Sequence, residues 1–130
     1  MRTCRSACIA ASFVFALSTV EVFASDVSPQ WSTSLAGTQL GAAFGDVVAT
    51  AGDVNGDGFA DAIVGAEGYH NGDLTDGAAF VYHGSVSGLT GTAQWTGSGA
   101  HAFARFGAAV ATAGDVNGDG YGDVIVGAAG

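Results

Sequence analysis

Asp53-Val54-Asn55-Gly56-Asp57-Gly58-Phe59-Ala60-Asp61 and Asp115-Val116-Asn117-Gly118-Asp119-Gly120-Tyr121-Gly122-Asp123 are two copies of one nine-residue pattern. In each, oxygen-bearing side chains stand at positions 1, 3, 5 and 9, with glycine at position 6. A chain that turns sharply at those glycines aims the oxygens at one point. Three carboxylates gathered there repel by roughly 4 kcal/mol per pair at 4 Å and an effective dielectric of 20. A cation between them relieves the repulsion, and an oxygen-only donor set favours Ca²⁺. A plain Asp/Asn-Gly turn is the simpler reading, but such a turn needs one pair of these residues rather than four acceptors in register.

The loops belong to a longer repeat. Asp115 follows Asp53 by 62 residues, and the same offset relates Phe44-Gly45 to Phe106-Gly107. Val48-Ala49-Thr50-Ala51-Gly52 returns as Val110-Ala111-Thr112-Ala113-Gly114, and Ala62-Ile63-Val64-Gly65-Ala66 as Val124-Ile125-Val126-Gly127-Ala128. Gln30-Trp31 returns as Gln94-Trp95 at an offset of 64, which places a two-residue length change in a surface connection. A period of this size marks a modular array.

Within a repeat the short apolar runs read as strands. Val47–Thr50 and Ala62–Val64 flank the acidic loop and predict a hairpin with the loop as its turn. Ala78–Tyr82 is a third strand candidate. Gln94–Thr96 is a fourth, reached through the Gly/Ser/Thr-rich connector Ser85–Thr92, with Gly97-Ser98-Gly99 as the turn after it. Four short strands per repeat is the arithmetic of a β-propeller blade. No amphipathic helix of useful length follows residue 25.

Phe-Gly, then Gly-Asp, then Asp-x-Asn-x-Asp-Gly-x-x-Asp, then Val-Gly-Ala resembles the FG-GAP repeat, which builds the seven-bladed propeller of integrin α-subunits and of many bacterial secreted proteins. The landmarks are Phe44-Gly45 with Gly65-Ala66, and Phe106-Gly107 with Gly127-Ala128, so the resemblance spans almost all of residues 30–130. It implies one structural Ca²⁺ in each hairpin loop. The ligands would be the side chains of Asp53, Asn55, Asp57 and Asp61 with the Phe59 carbonyl, and those of Asp115, Asn117, Asp119 and Asp123 with the Tyr121 carbonyl. An EF-hand is excluded, because it needs a bidentate Glu at position 12, where Val64 and Val126 stand here, and helices on either side.

Residues 1–24 read as a secretory signal peptide. Arg2 and Arg5 precede the apolar stretch Ala7–Val20, and Val22-Phe23-Ala24 offers a small-residue cleavage site. Cys4 and Cys8 both lie inside it, so the expected mature chain has no disulfide and metal sites are its natural staple. After residue 24, Arg105 is the one basic residue among Lys and Arg, against 11 acids, six of them in the two loops. That balance excludes nucleic acid and an anionic membrane surface as partners. The absence of Lys, with Asp, Ala and Gly abundant, suggests a GC-rich bacterial source.

The expected class is therefore all-β: a first repeat over about 40–96, a second over about 102–130, and fewer than two blades of an incomplete propeller. Closure typically takes 4–8 blades, so further repeats or other chains are expected to complete it. His70, His83 and His101 lack metal-ligand spacing and read as surface residues. Trp31 and Trp95 read as packing between sheets, with carbohydrate stacking as the alternative. Tyr69–Gly77 reads as a rim loop linking strands. No nucleophile stands in a recognisable catalytic setting, so the chain is not expected to be an enzyme. Its expected role is a calcium-binding extracellular module for adhesion, with a protein or glycan partner. The alternative is the accessory propeller of a secreted hydrolase whose catalytic domain lies elsewhere.

Overall fold

A computed structural model describes residues 19–23, 29–34, 39–70, 72 and 75–130, with side chains from residue 39 onward. The described residues form eight strands: β1 (Thr19–Phe23), β2 (Pro29–Ser34), β3 (Val47–Gly52), β4 (Asp61–Ala66), β5 (Ala78–Tyr82), β6 (Trp95–Ser98), β7 (Phe106–Gly114) and β8 (Asp123–Ala128). The strands pair antiparallel in three sheets, β1-β2, β3-β4-β5-β6 and β7-β8, and an isolated parallel bridge joins Gly77 to Phe106. The four-stranded sheet is one blade and β7-β8 the inner half of the next, an incomplete propeller set as the repeat arithmetic requires. The expected leader lies outside the described residues except for Thr19–Phe23, which forms β1.

Each strand follows from its residue pattern. In β3, exposed Val48 and Thr50 alternate with more buried neighbours, the period-two signature of a strand wetted on one face. β4 is a continuous apolar run after Asp61 and lies in the blade interior, covered on both faces. β5 is buried along its whole length. The third strand has the expected bounds, whereas the fourth runs past its expected end. Gly97 and Ser98, read as a turn, pair with Ala79 and Ala78, because the ladder continues as long as β5 offers partners.

Two cores result, one on each face of the blade. Val64, Ala66, Ala78, Phe80 and Tyr82 pack with Phe44, and both Phe44 and Tyr69 meet the Phe80 ring edge-on, at 5.5 and 5.6 Å between centroids. Such edge contacts each add about 0.5–1.5 kcal/mol beyond the area they bury. The opposite face presents Ala51, Ile63, Ala79 and Val81 to Phe106, Val110, Val124 and Val126 of the second unit.

Glycine sets how closely the two units approach. A Cβ on Gly65 would lie 2.1 Å from the Gly107 carbonyl oxygen, and one on Gly107 would lie 2.1 Å from that of Ala78. The Phe-Gly and Gly-Ala landmarks are thus the two halves of a backbone-to-backbone contact between neighbouring repeats. Trp95 departs from its expected place between sheets. It lies on the outer strand β6, 45% exposed, with its ring over Gly97, where a Cβ would stand 2.4 Å from the indole. β6 is the last strand of its sheet, and the ring lies along its own strand. Trp31 has no described side chain.

Candidate functional site

Loop 1 is wound on its own aspartates. Asp53 Oδ1 accepts the N–H groups of Gly56 (2.7 Å) and Asp57 (3.0 Å), and Oδ2 accepts that of Gly58 (2.8 Å). Successive backbone N–H groups facing one carboxylate form a concavity suited to an anion, and the positive φ of Gly56 (76°) and Gly58 (87°) turns them inward. Asn55 Oδ1 accepts Asp57 N–H at 3.0 Å, and Asp57 Oδ1 accepts Phe59 N–H at 2.9 Å. These are turns that Asn and Asp make with the backbone two residues on, so the fold of the loop is local to its nine residues.

Position 9 works differently. Asp61 is buried, and its Oδ2 accepts Val54 N–H at 2.8 Å while Oδ1 accepts Gly84 N–H at 2.7 Å. One carboxylate therefore ties the start of the loop to the connection between β5 and β6. Gly84 carried no sequence signal, because its partner is 23 residues away and only the sheet brings the two together.

Loop 2 repeats the internal pattern bond for bond. Asp115 accepts Gly118, Asp119 and Gly120 N–H at 2.7, 3.0 and 2.8 Å. Asn117 accepts Asp119 N–H at 3.0 Å, Asp119 accepts Tyr121 N–H at 2.9 Å, and Asp123 accepts Val116 N–H at 2.8 Å. The loops also touch. Gly122 N–H donates to the Asp53 carbonyl at 2.6 Å, and the Tyr121 ring lies over Gly56.

Charge at the loops is shaped by these bonds. The Phe59 N–H, then the Asn55 amide, hold the exposed Asp57 carboxyl below the ordinary aspartate range, with a smaller contribution from the nearby His83 charge. His83 immediately precedes Gly84, so the β5–β6 connection reaches loop 1 with both residues. His70 is held elsewhere, with its Nδ1 3.0 Å from Thr75 Oγ1 and its backbone bracketed by the Gln39 amide. His70 also pairs with Thr75, and Gly77 N–H donates to the Tyr69 carbonyl at 2.9 Å; Asn71, Asp73 and Leu74 lie outside the described residues.

Among the described residues no three Asp, Glu, His or Cys side chains are drawn together as a metal-holding group. The donor set nonetheless fits a hard cation by its chemistry. A carboxylate has about four lone-pair sites. Asp53 spends three on N–H groups, whereas Asp57 and Asp61 each spend two in the bonds described. Acceptor capacity remains on every expected side-chain ligand, and all the donors are oxygen, as calcium requires.

Comparison with known proteins bears on the second loop directly. A family model described as the FG-GAP repeat matches residues 106–130. Integrin alpha-PS2 of Drosophila melanogaster is 43% identical over 102 residues, covering 73% of this chain and 7% of that protein. Integrin alpha-4 of Xenopus laevis is 39% identical over 93 residues, covering 71% of this chain and 9% of that protein. Integrin alpha-X of Homo sapiens is 37% identical over 119 residues, covering 84% and 10%. The chain thus spans a tenth or less of each of these relatives.

Proposed function

Starting from a chain that matches the FG-GAP repeat over residues 106–130 and is integrin-α-like in sequence, we propose that it is part of an adhesion-type extracellular propeller whose two acidic loops each hold a calcium ion. The ion in loop 1 is held by Asp53, Asn55, Asp57, Asp61 and the Phe59 carbonyl. The ion in loop 2 is held by Asp115, Asn117, Asp119, Asp123 and the Tyr121 carbonyl. Bound calcium supplies no chemistry in this reading. It neutralises the carboxylates that the turn brings together and stiffens the hairpins β3-β4 and β7-β8.

The carrying observation is the duplicated hydrogen-bond pattern, in which each loop already orders its oxygens around one turn with its own backbone N–H groups and one Asn amide. The leader read over residues 1–24 supports export to a compartment where calcium is abundant. The surplus of acids after residue 24 supports a protein or glycan partner rather than nucleic acid. The chain acts, in this reading, by presenting a surface and not by catalysis.

Thermal melting of the full chain in 10 mM CaCl₂ and in chelator tests the loops. Extracellular calcium modules bind at about 10⁻⁴–10⁻³ M. Saturation at 10–100 times that constant stabilises by about 1.4–2.7 kcal/mol per site, a shift of several degrees. Asp57→Ala and Asp119→Ala should each remove part of the shift. Identical melting in calcium and in chelator overturns the reading.

A further inference from the structure

The second loop is seated on the first. Gly122 donates its N–H to the Asp53 carbonyl at 2.6 Å. A Cβ on Gly122 would stand 3.0 Å from Asp53 N and 3.2 Å from the carbonyl oxygens of Ala51 and Asp53. A Cβ on Gly56 would meet Tyr121 Cε1 at 2.5 Å, so the Tyr121 ring rests on bare backbone. The counterpart glycine, Gly118, has nothing within 4 Å.

This contact explains where the two copies differ. At positions 7 and 8 loop 1 has Phe59-Ala60 and loop 2 has Tyr121-Gly122. Alanine is tolerated at position 8 of loop 1, whose tip meets the β5–β6 connection at Gly84. Glycine is needed in loop 2, because that position is pressed against the backbone of another loop.

One peptide group joins the two candidate sites. Its N–H, from Gly122, is held by position 1 of loop 1, and its carbonyl, from Tyr121, is the position-7 oxygen of loop 2. The peptide is trans, so the two ends point in opposite directions and the carbonyl is aimed away from loop 1. A cation drawing on that carbonyl polarises the group and strengthens the N–H donated to Asp53. The hydrogen bond in turn fixes the direction of the carbonyl before a cation arrives, which lowers the ordering cost of binding.

We propose that the two loops bind calcium as a coupled pair, with Tyr121 and Gly122 as positioning residues, so that filling one loop raises the affinity of the other. The proposal rests on the calcium reading of the loops. It predicts positive cooperativity between neighbouring blades without any large movement.

Calcium titration of the full chain tests it, by calorimetry and by the amide resonances of Gly56 and Gly118. Each of those N–H groups is bonded to the position-1 carboxylate of its own loop and so reports that loop. The parent chain should take up two ions with a Hill coefficient above 1, both resonances moving along one steep curve. Gly122→Ala should keep two ions but lower loop 1 affinity about 5- to 10-fold and separate the curves. Tyr121→Ala, which keeps the Gly122 peptide, should act in the same direction and more weakly. Asp119→Ala should weaken loop 1 in the parent chain but not in the Gly122→Ala background, the signature of a shared interaction. Two independent ions in the parent chain, or coupling unchanged in both position variants, overturns the coupling while the calcium reading stands. Absence of calcium uptake overturns both.

Discussion

β4 and β8 carry the same six residues except for one, Ala62 in the first and Val124 in the second, yet their surroundings differ. Ile63 in β4 is fully buried, whereas its counterpart Ile125 in β8 is 61% exposed. Both strands pair on one side with the preceding strand of their repeat, and among the described residues only β4 has a partner, β5, on the other. Among the described residues the burial of each copy therefore follows the strands stacked beside it, not its own sequence.

The sharpest way to break this comparison is paired truncation. Ile63→Ala should cost about 2–5 kcal/mol in urea denaturation, as a buried side chain whose cavity cannot collapse. Ile125→Ala should stay within about 0.5 kcal/mol, as a surface change. Equal losses would mean that β8 is covered in solution. Next in size is the inter-repeat contact. Gly65→Ala drives a Cβ into the Gly107 carbonyl and should cost about 2–3 kcal/mol, whereas the nearest atom to a Cβ on Gly127 is Ala109 Cβ at 3.3 Å. Gly127→Ala should be close to neutral in the same assay.

The carboxylates at position 9 sharpen the comparison further. In chelator, Asp61→Ala strands the N–H groups of Val54 and Gly84 and should cost about 2 kcal/mol. Asp123→Ala strands Val116 N–H near solvent and should cost about half of that. The smallest effect expected is a pH dependence. The Asp57 carboxyl is depressed in the folded chain, chiefly by the Phe59 N–H and then by Asn55. Its contribution to stability is therefore present above the ordinary aspartate value and fades as pH falls through the lower folded value. Carboxyl NMR should place the Asp57 midpoint below the ordinary range, and Asn55→Ala should raise it. A midpoint that does not move on that substitution would remove Asn55 from the cause.

Much of the site was legible beforehand because its bonds are short in sequence. Asp53, Asn55 and Asp57 accept N–H groups two to five residues ahead, so a nine-residue window contains donor, acceptor and the glycines that bring them together. β3, β4 and β5 were legible by their apolar runs and β7 and β8 by the 62-residue offset, whereas β1 fell inside the expected leader and β2, a polar stretch, gave no strand signal. Trp95 was misplaced because an aromatic at a repeated position says nothing of whether a sheet lies over it. Gly84 was missed because a lone N–H donor in a turn leaves no trace in composition.

The sequence by itself determined the hairpins, the winding of each acidic loop and the four-strand repeat, since these depend on backbone sterics and contacts within a few residues. The tertiary structure decided which copy is buried, that Asp61 clasps a turn 23 residues away, and that Tyr121 and Gly122 rest on loop 1. Those outcomes depend on how one sheet is stacked against the next. Two nearly identical segments carry little of that locally: the loops differ only at positions 7 and 8, and what separates their surroundings is what stands beside each.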